Sequence, residues 1–201
     1  PLKDSAAFTL VDADASADGT NINNGNITVS VATDSPTGNV ASAATNVSLA
    51  KFTYKANGED IKVTYVNVSM NKEATDSDLK NGKLYWNGSQ VGSTDAYVED
   101  QATVVYTANQ VIKAGETANI EYRADLIHGG TGGAGSGATS AGIPADQTVV
   151  VSLVAGTTDA TGQSSLANVS TAAAIGKTLT AKTGLLSVAK NVSMANYTTS
   201  I

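Results

Sequence analysis

Apolar and polar residues alternate along most of the chain between Leu49 and Leu126. The alternation is clearest from residue 117 to residue 126, where the residues of one parity are Ala118, Ile120, Tyr122, Ala124 and Leu126. Residues of the other parity in this segment are polar or charged. A period of two is typical of antiparallel strands that are buried on one face only. The pattern predicts an all-β protein.

Asn-Gly pairs between the alternating segments predict tight turns. Asn57-Gly58-Glu59-Asp60 separates residues 47–56 from residues 61–70, and we expect a β-hairpin there because both turn residues tolerate positive φ. Asn87-Gly88 predicts a second hairpin.

The alternation changes phase inside the segment 61–70. Ile61, Val63 and Tyr65 have one parity, whereas the apolar residues after Tyr65 have the other. A shift by one residue is the signature of a β-bulge. We therefore predict a bulge near Tyr65-Val66.

The rest of the chain mixes strand patterns with polar turns. A Gly/Ala/Ser/Thr-rich segment, residues 129–142, predicts a flexible surface loop. Residues 157–163 resemble a turn, and residues 167–175 allow a short helix. Further strands are expected at 7–11, 27–31, 103–107, 147–155, 179–188 and 192–201.

Composition argues against several classes of function. The chain of 201 residues carries a formal net charge of −6, no cysteine and a single histidine, and its basic residues are scattered. It therefore lacks the basic patch of a nucleic-acid binder and cannot use thiol catalysis or thiolate metal sites. No run of about 18 apolar residues occurs, so we expect no membrane insertion. We predict that the protein is not an enzyme and needs no cofactor.

One acidic segment resembles the start of a calcium loop. Its candidate ligands are Asp12, Asp14 and Asp18, and Gly19 occupies the sixth position when counting from Asp14. The twelfth position is Gly25, where an EF-hand needs a bidentate Glu. Two interpretations stay open: a looser surface calcium site and a solvated acidic turn.

Other acidic pairs, such as Glu59-Asp60, lie in predicted turns, where we interpret them as solvated residues rather than catalytic carboxylates. Four aromatic residues, Tyr85, Trp86, Tyr97 and Tyr106, could form a sugar-binding platform or belong to the core of a β-sandwich. The sequence leaves both interpretations open.

The triplet Asn-x-Ser/Thr occurs seven times. It is the acceptor for N-glycosylation in exported proteins, although a surface rich in Asn, Ser and Thr also produces it by chance. The candidate asparagines are Asn26, Asn46, Asn67, Asn87, Asn168, Asn191 and Asn196.

Three segments resemble a known group of modules. Residues 79–92, which include Leu84-Tyr85-Trp86-Asn87-Gly88, are similar to the "LY-x-(D/N)G-x-x-VG" hairpin of immunoglobulin-like modules of prokaryotic cell-surface proteins, including CARDB-type domains. Residues 111–122 look like their "I-x-x-G-x-(S/T)" turn and the strand after it. Residues 50–56 with 58–63 look like the hairpin of tandem modules in bacterial surface proteins. The resemblance covers residues 47–126 and implies an immunoglobulin-like antiparallel β-sandwich at the cell surface. The chain departs from the typical module in the Gly-rich insertion after His128 and in its long terminal segments, where we expect extended strands. No sortase-type sorting motif is present.

We expect three segments: an N-terminal strand segment (1–44), a sandwich (45–175) and a C-terminal strand segment (176–201). The leading hypothesis is a self-assembling subunit of an extracellular filament or surface layer, in which copies of the chain exchange a terminal strand. The alternative is an adhesin or carbohydrate-binding module that recognises cell-surface glycans.

The donated strand is expected to carry Phe8 and Leu10, or Leu186 and Val188, and the sequence leaves the choice open. Residues 25–30 and 184–189 share a glycine followed by an alternating strand pattern. Chance similarity between two strands and a link to a second module both explain this echo.

Overall fold

The computed structural model describes residues 24–72, 79–98, 100–127 and 146–183. Every regular element in these ranges is a β-strand, which confirms the prediction of an all-β protein. The strands are β1 (Asn26–Val31), β2 (Gly38–Ala41), β3 (Val47–Asn57), β4 (Ile61–Lys72), β5 (Leu79–Trp86), β6 (Ser89–Val98), β7 (Thr103–Ile112), β8 (Thr117–Asp125), β9 (Thr148–Leu153), β10 (Gly156–Gly162), β11 (Asn168–Thr171), β12 (Ala174–Ile175) and β13 (Leu179–Lys182).

The strands form two sheets, an arrangement consistent with a β-sandwich. The first sheet has the order β1-β3-β8-β5-β6. The second has the order β11-β10-β4-β9-β13-β2, with β12 added to β9 and β7 added to the other side of β4. All pairs are antiparallel except β13 with β2, which are parallel.

The hydrophobic core consists of the inward-facing residues of both sheets. Its largest fully buried side chains include Tyr54, Tyr122 and Phe52. Tyr54 packs edge-on against Trp86, and the hydroxyls of Tyr106 and Tyr122 lie 3.3 Å apart within the core. These buried hydroxyls satisfy each other, as buried polar groups in a stable core must.

The two Asn-Gly pairs have different roles. Asn87 and Gly88 both have positive φ and join β5 to β6 as the predicted hairpin. The hairpin predicted at Asn57-Gly58 is wrong, because β3 belongs to the first sheet and β4 to the second. Both edges of β3 are occupied by β1 and β8, so β4 has to cross to the facing sheet.

The phase shift in β4 is present, slightly before the position predicted from the sequence. The register between β4 and β7 is irregular between Val63 and Tyr65, and Tyr65 is 42% exposed. Before this point β4 pairs with β10, and after it β4 pairs with β9. The irregularity therefore coincides with a change of neighbour.

Two local predictions are corrected. Residues 157–163, expected to form a turn, largely belong to β10, and residues 167–175, where a helix was possible, contain β11 and β12. The flanking segments also contribute to the sandwich. Within the described residues, β1 pairs with β3, and β13 pairs with β9 and β2.

Candidate functional site

The chain enters the sandwich at one end, which we call the proximal end and define by Gly25, Glu59 and Ser165. The Glu59 carboxylate accepts hydrogen bonds from the Gly25 N–H at 3.0 Å, from the Ser165 N–H at 2.9 Å and from the Ser165 hydroxyl at 2.6 Å. The Ser164 N–H donates a further bond at 2.7 Å. These bonds lower the pKa of Glu59 to about 2, and the bond from the Ser165 hydroxyl has the largest effect. Glu59 is thus a structural anchor rather than the solvated turn residue predicted from the sequence.

The described chain leaves the sandwich at the opposite end, which we call the distal end and define by Ser42, Leu126 and Lys182. The Ser42 N–H donates to the Lys182 carbonyl at 2.8 Å, and the Lys182 ammonium forms an ion pair with Asp146. The Leu126 carbonyl accepts a hydrogen bond from the Ala43 N–H at 3.1 Å. These contacts fix the last residues of β13 beside the end of β2.

The two ends are separated by the full length of the sandwich. β3 starts near the distal end at Val47 and reaches the proximal end at Asn57, an extent of 11 residues. At the usual rise of a strand this is about 35 Å. The chain therefore enters and leaves this module at opposite ends, which suits a linear array of modules.

The edge strands β6 and β7 lie beside each other and partly cover one another. β6 contains extra residues opposite β5, between the pairs Gly82–Asp95 and Leu84–Val91. This bulge includes Gly92, which has a φ of 68°. A Cβ at Gly92 would lie 3.3 Å from both the nitrogen and the oxygen of Thr107 in β7. The bulge therefore covers the outer edge of β7, a recognised way to prevent unwanted strand pairing.

The outer edge of β1 is different because it is regular and no described strand pairs with it, although β11 and β12 of the facing sheet lie beside it. β1 keeps an unbroken register with β3 and contains neither charged residues nor proline. The Ala32 N–H donates to the Lys51 carbonyl at 2.9 Å, which sets the phase of the ladder. Three residues of β1 consequently direct their N–H and C=O groups away from β3: Ile27, Val29 and Val31.

Apolar side chains accompany this open edge. Val29 and Val31 are only partly buried, and β1 lies beside β11 and β12. In β12, Ala174 packs against the core, whereas Ile175 has the opposite parity and is 75% exposed. We call the outer edge of β1 together with Ala174 the β1 seam. Leu166, next to Ser165 at the proximal end, is 76% exposed and has a φ of 56°. The sequence did not single out Ile175 or Leu166, because their exposure results from long-range packing that no local pattern reveals.

A polar cleft of about 230 Å³ lies on the first sheet, lined among others by Asp34, Lys51, Asn119 and Glu121. Lys51 and Asp34 form an ion pair at 2.7 Å, and this hydrogen bond lowers the pKa of Asp34. Glu121 accepts a hydrogen bond from Arg123 at 2.9 Å. The cleft therefore presents charged groups that are already paired with each other.

Arg123 also lies over the ring of Tyr85, with its guanidinium carbon 4.8 Å from the ring centre. Trp86 and Tyr106 are buried in the core, at 5% and 2% exposure, so a sugar-binding platform that includes them is wrong. Tyr97 is 41% exposed beside β7. The aromatic residues thus serve mainly the core.

The acceptor triplets differ in their surroundings. The Nδ2 atom of Asn67, which would carry a glycan, is partly buried and donates to Asp159 at 2.6 Å. The other candidates within the described ranges are exposed: Asn26, Asn46, Asn87 and Asn168. Whether any of them is glycosylated stays a prediction.

Several predicted sites lie outside the described residues and stay predictions. They are the calcium ligands Asp12, Asp14 and Asp18, the strand residues Phe8, Leu10, Leu186 and Val188, and the triplets at Asn191 and Asn196. Within the described ranges, no group of three or more His, Cys, Asp or Glu side chains is placed to hold a metal ion. The same ranges contain no helix long and apolar enough to cross a membrane.

Comparison with known proteins gave no match to a family model and none to a curated protein sequence.

Proposed function

We propose that this protein is a structural subunit of an extracellular filament or surface layer, and that copies assemble head to tail by exchanging a terminal strand. The observation that carries the proposal is that the described chain starts and stops at opposite ends of the sandwich. Gly25 lies at the proximal end and Lys182 at the distal end, so residues 1–23 and 184–201 depart from opposite ends of the sandwich. A copy that donates a segment to the next one therefore extends the array in one direction.

Such a contact joins two different surfaces of the same chain. A heterologous contact that does not close builds a filament or a sheet rather than a dimer. Strand addition supplies the main-chain hydrogen bonds, and the alternate side chains of the donated strand supply specificity. The unbroken edge of β1 supports this mode of assembly, because a regular, uncharged edge is a template for pairing.

The test is electron microscopy of the native material together with size measurement of the purified full chain. We expect filaments or sheets, and a size distribution that shifts to larger species as concentration rises. A chain that lacks residues 1–11 and a chain that lacks residues 185–201 serve as matched variants, and one of them is expected to stay monomeric. A monomer at all concentrations, in both native and purified material, contradicts the proposal.

At the level of the fold, we propose that the sandwich belongs to the immunoglobulin-like group. The chain crosses between the sheets from β3 to β4 and from β7 to β8, which is typical of Greek-key sandwiches. The parallel pair of β13 and β2 is an addition to such a plan. An experimental structure compared strand by strand with immunoglobulin-like modules tests this assignment.

The alternative function is an adhesin or carbohydrate-binding module within a larger cell-surface protein. The polar cleft of about 230 Å³ beside Lys51 and Glu121 favours it, since charged and amide groups recognise sugars by hydrogen bonding. Glycan-array binding by the full chain, lost in the variant Asn119→Ala, would support this function. A stable monomer that binds no glycan would contradict it.

A further inference from the structure

We propose that the β1 seam is the acceptor for assembly and that its occupant is the segment 184–190 of a second copy of this chain. The inference rests on the proposed function and deepens it, because it names both partners of the contact. Three features support this contact: the regular, unpaired edge of β1, the end of the sandwich at which the described chain leaves, and the alternation of side chains in the sequence that follows β13.

The other described edges are less suited to accept a strand. β6 is interrupted by the bulge at Gly92, and that bulge covers β7 at Thr107. β2 and β11 have four residues each, and β12 has two. β1 has six regularly paired residues, and three of them direct their N–H and C=O groups away from β3: Ile27, Val29 and Val31. Natural proteins usually protect such an edge with charge, proline or a bulge, and β1 has none of these.

The direction of the chain selects the C-terminal segment as donor. β1 occupies the proximal half of the sandwich, where Asn26 pairs with Asn57 and Val31 pairs with Phe52. In a head-to-tail array, the distal end of one copy meets the proximal end of the next. Residues that follow Lys182 therefore arrive where β1 of the next copy begins. The N-terminal segment of a copy would instead meet the distal end of its neighbour, beside the short strand β2.

The donor sequence fits the seam. Leu186 and Val188 have the same parity, and Leu185 and Ser187 have the other. Laid along β1, the first pair covers the partly buried Val29 and Val31 and extends the core against which Ala174 also packs. The second pair then lies on the solvent side beside Ser30. The echo between residues 25–30 and 184–189 agrees with this, since each segment has a glycine followed by the alternating pattern of a strand.

The first test compares two substitutions in the full chain that differ only in parity. Leu186→Asp places a charge in the seam and is expected to weaken association at least about tenfold, because it forfeits the burial of one large side chain. Leu185→Asp adds the same charge on the solvent side and is expected to change association less than about threefold. The dissociation constant from analytical ultracentrifugation is the readout. Equal effects of the two substitutions overturn the assignment of the donor face.

The second test uses the absence of native cysteine. The pair Ser30→Cys with Ser187→Cys brings two outward-facing residues of adjacent strands together, and Thr28→Cys replaces Ser30→Cys as the alternative register. We expect a ladder of covalent multimers under non-reducing conditions. The matched control, Ser30→Cys with Leu186→Cys, is expected to give less of it. A cross-linked monomer means that the C-terminal segment folds back on its own copy, which overturns the proposal.

A third pair, Thr9→Cys with Ser30→Cys, detects the competing occupant, the N-terminal segment of the same copy. An efficient cross-link within one chain in this variant overturns the proposal. If Leu186→Asp forms normal filaments and the variant with Ser30→Cys and Ser187→Cys gives no ladder, the β1 seam is wrong while the proposed function stands. A protein that never polymerises contradicts both.

Discussion

Glu59 shows how one side chain can organise an end of the molecule. It links Gly25, at the start of β1, to the loop at Ser164 and Ser165, more than 100 residues away in the sequence. A Cβ at Gly25 would lie 2.5 Å from the Glu59 side chain, so the glycine lets the carboxylate approach the backbone. Glu59 therefore holds the start of β1 and the loop at residues 164–165 in a fixed relation to each other.

This anchor predicts a pH dependence. The folded-state pKa of Glu59, about 2, is below its ordinary value of 4.5. The contribution of Glu59 to stability is therefore complete above about pH 4.5 and is lost as the pH falls towards 2. Glu59→Gln is expected to lower the melting temperature at pH 7 and to flatten its decline between these values. Thermal unfolding monitored by circular dichroism at several pH values measures both effects.

The control is Asp34→Asn, which removes a carboxylate from the exposed ion pair with Lys51. Exposed pairs contribute little to stability, so this variant is expected to melt close to the wild type. If Glu59→Gln retains the full acid sensitivity of the wild type, the role assigned to the Glu59 hydrogen bonds is wrong.

The acceptor triplets lead to a prediction at individual asparagines. The Asn67 amide donates to the buried carboxylate of Asp159, and Asp159 also accepts a bond from the Thr171 hydroxyl. A glycan on Asn67 would disrupt this network, whereas Asn87 at the tip of a hairpin is exposed. Peptide mass spectrometry of native material is expected to find Asn67 unmodified, with any glycan on the exposed asparagines. A glycan on Asn67 in folded protein would contradict the structure at that position.

At the scale of the elements, the two Asn-Gly motifs form different connections. At Asn87-Gly88 the motif correctly predicts a hairpin, because the strands on either side pair with each other. At Asn57-Gly58 the same dipeptide joins strands in different sheets, since β1 and β8 already occupy both edges of β3. Alternation thus predicted strands and the phase shift in β4, but not their partners. Partner choice depends on pairings between residues distant in sequence, such as Lys51 with Glu121, which local periodicity does not encode.

Successive N–H groups of β1 face alternately towards β3 and away from it, which allows a test of the open edge. Val29→Pro removes an N–H that faces away from β3, so the fold should tolerate it as edge strands usually do, while association falls. Thr28→Pro removes an N–H that faces β3 and is expected to destabilise the fold by about 1–3 kcal/mol. Denaturant unfolding and sedimentation of the two variants separate these effects. Normal association of Val29→Pro would show that the outer edge of β1 takes no part in assembly.

At the scale of the whole molecule, entry of the chain at one end and its departure at the other make the sandwich a directional unit. β3 and β4 run between the ends and belong to different sheets, so each sheet contributes a continuous strand along the axis. This directionality is what the proposed head-to-tail array requires.

The head-to-tail arrangement predicts the spacing of subunits. Because β3 has 11 residues, the axial rise per subunit is expected to be about 35–45 Å, allowing for the loops at each end. Helical reconstruction of the filaments, or layer spacing in a sheet, measures it. Insertion of a five-residue Gly-Ser linker after Thr183 lengthens the connection between subunits without changing a described strand. The monomer should therefore melt as the wild type does, while the spacing of subunits increases or becomes irregular. A rise of about 10 Å would instead match the distance between sheets packed face to face. It would mean that the subunits stack side by side and that the terminal segments do not link the proximal and distal ends.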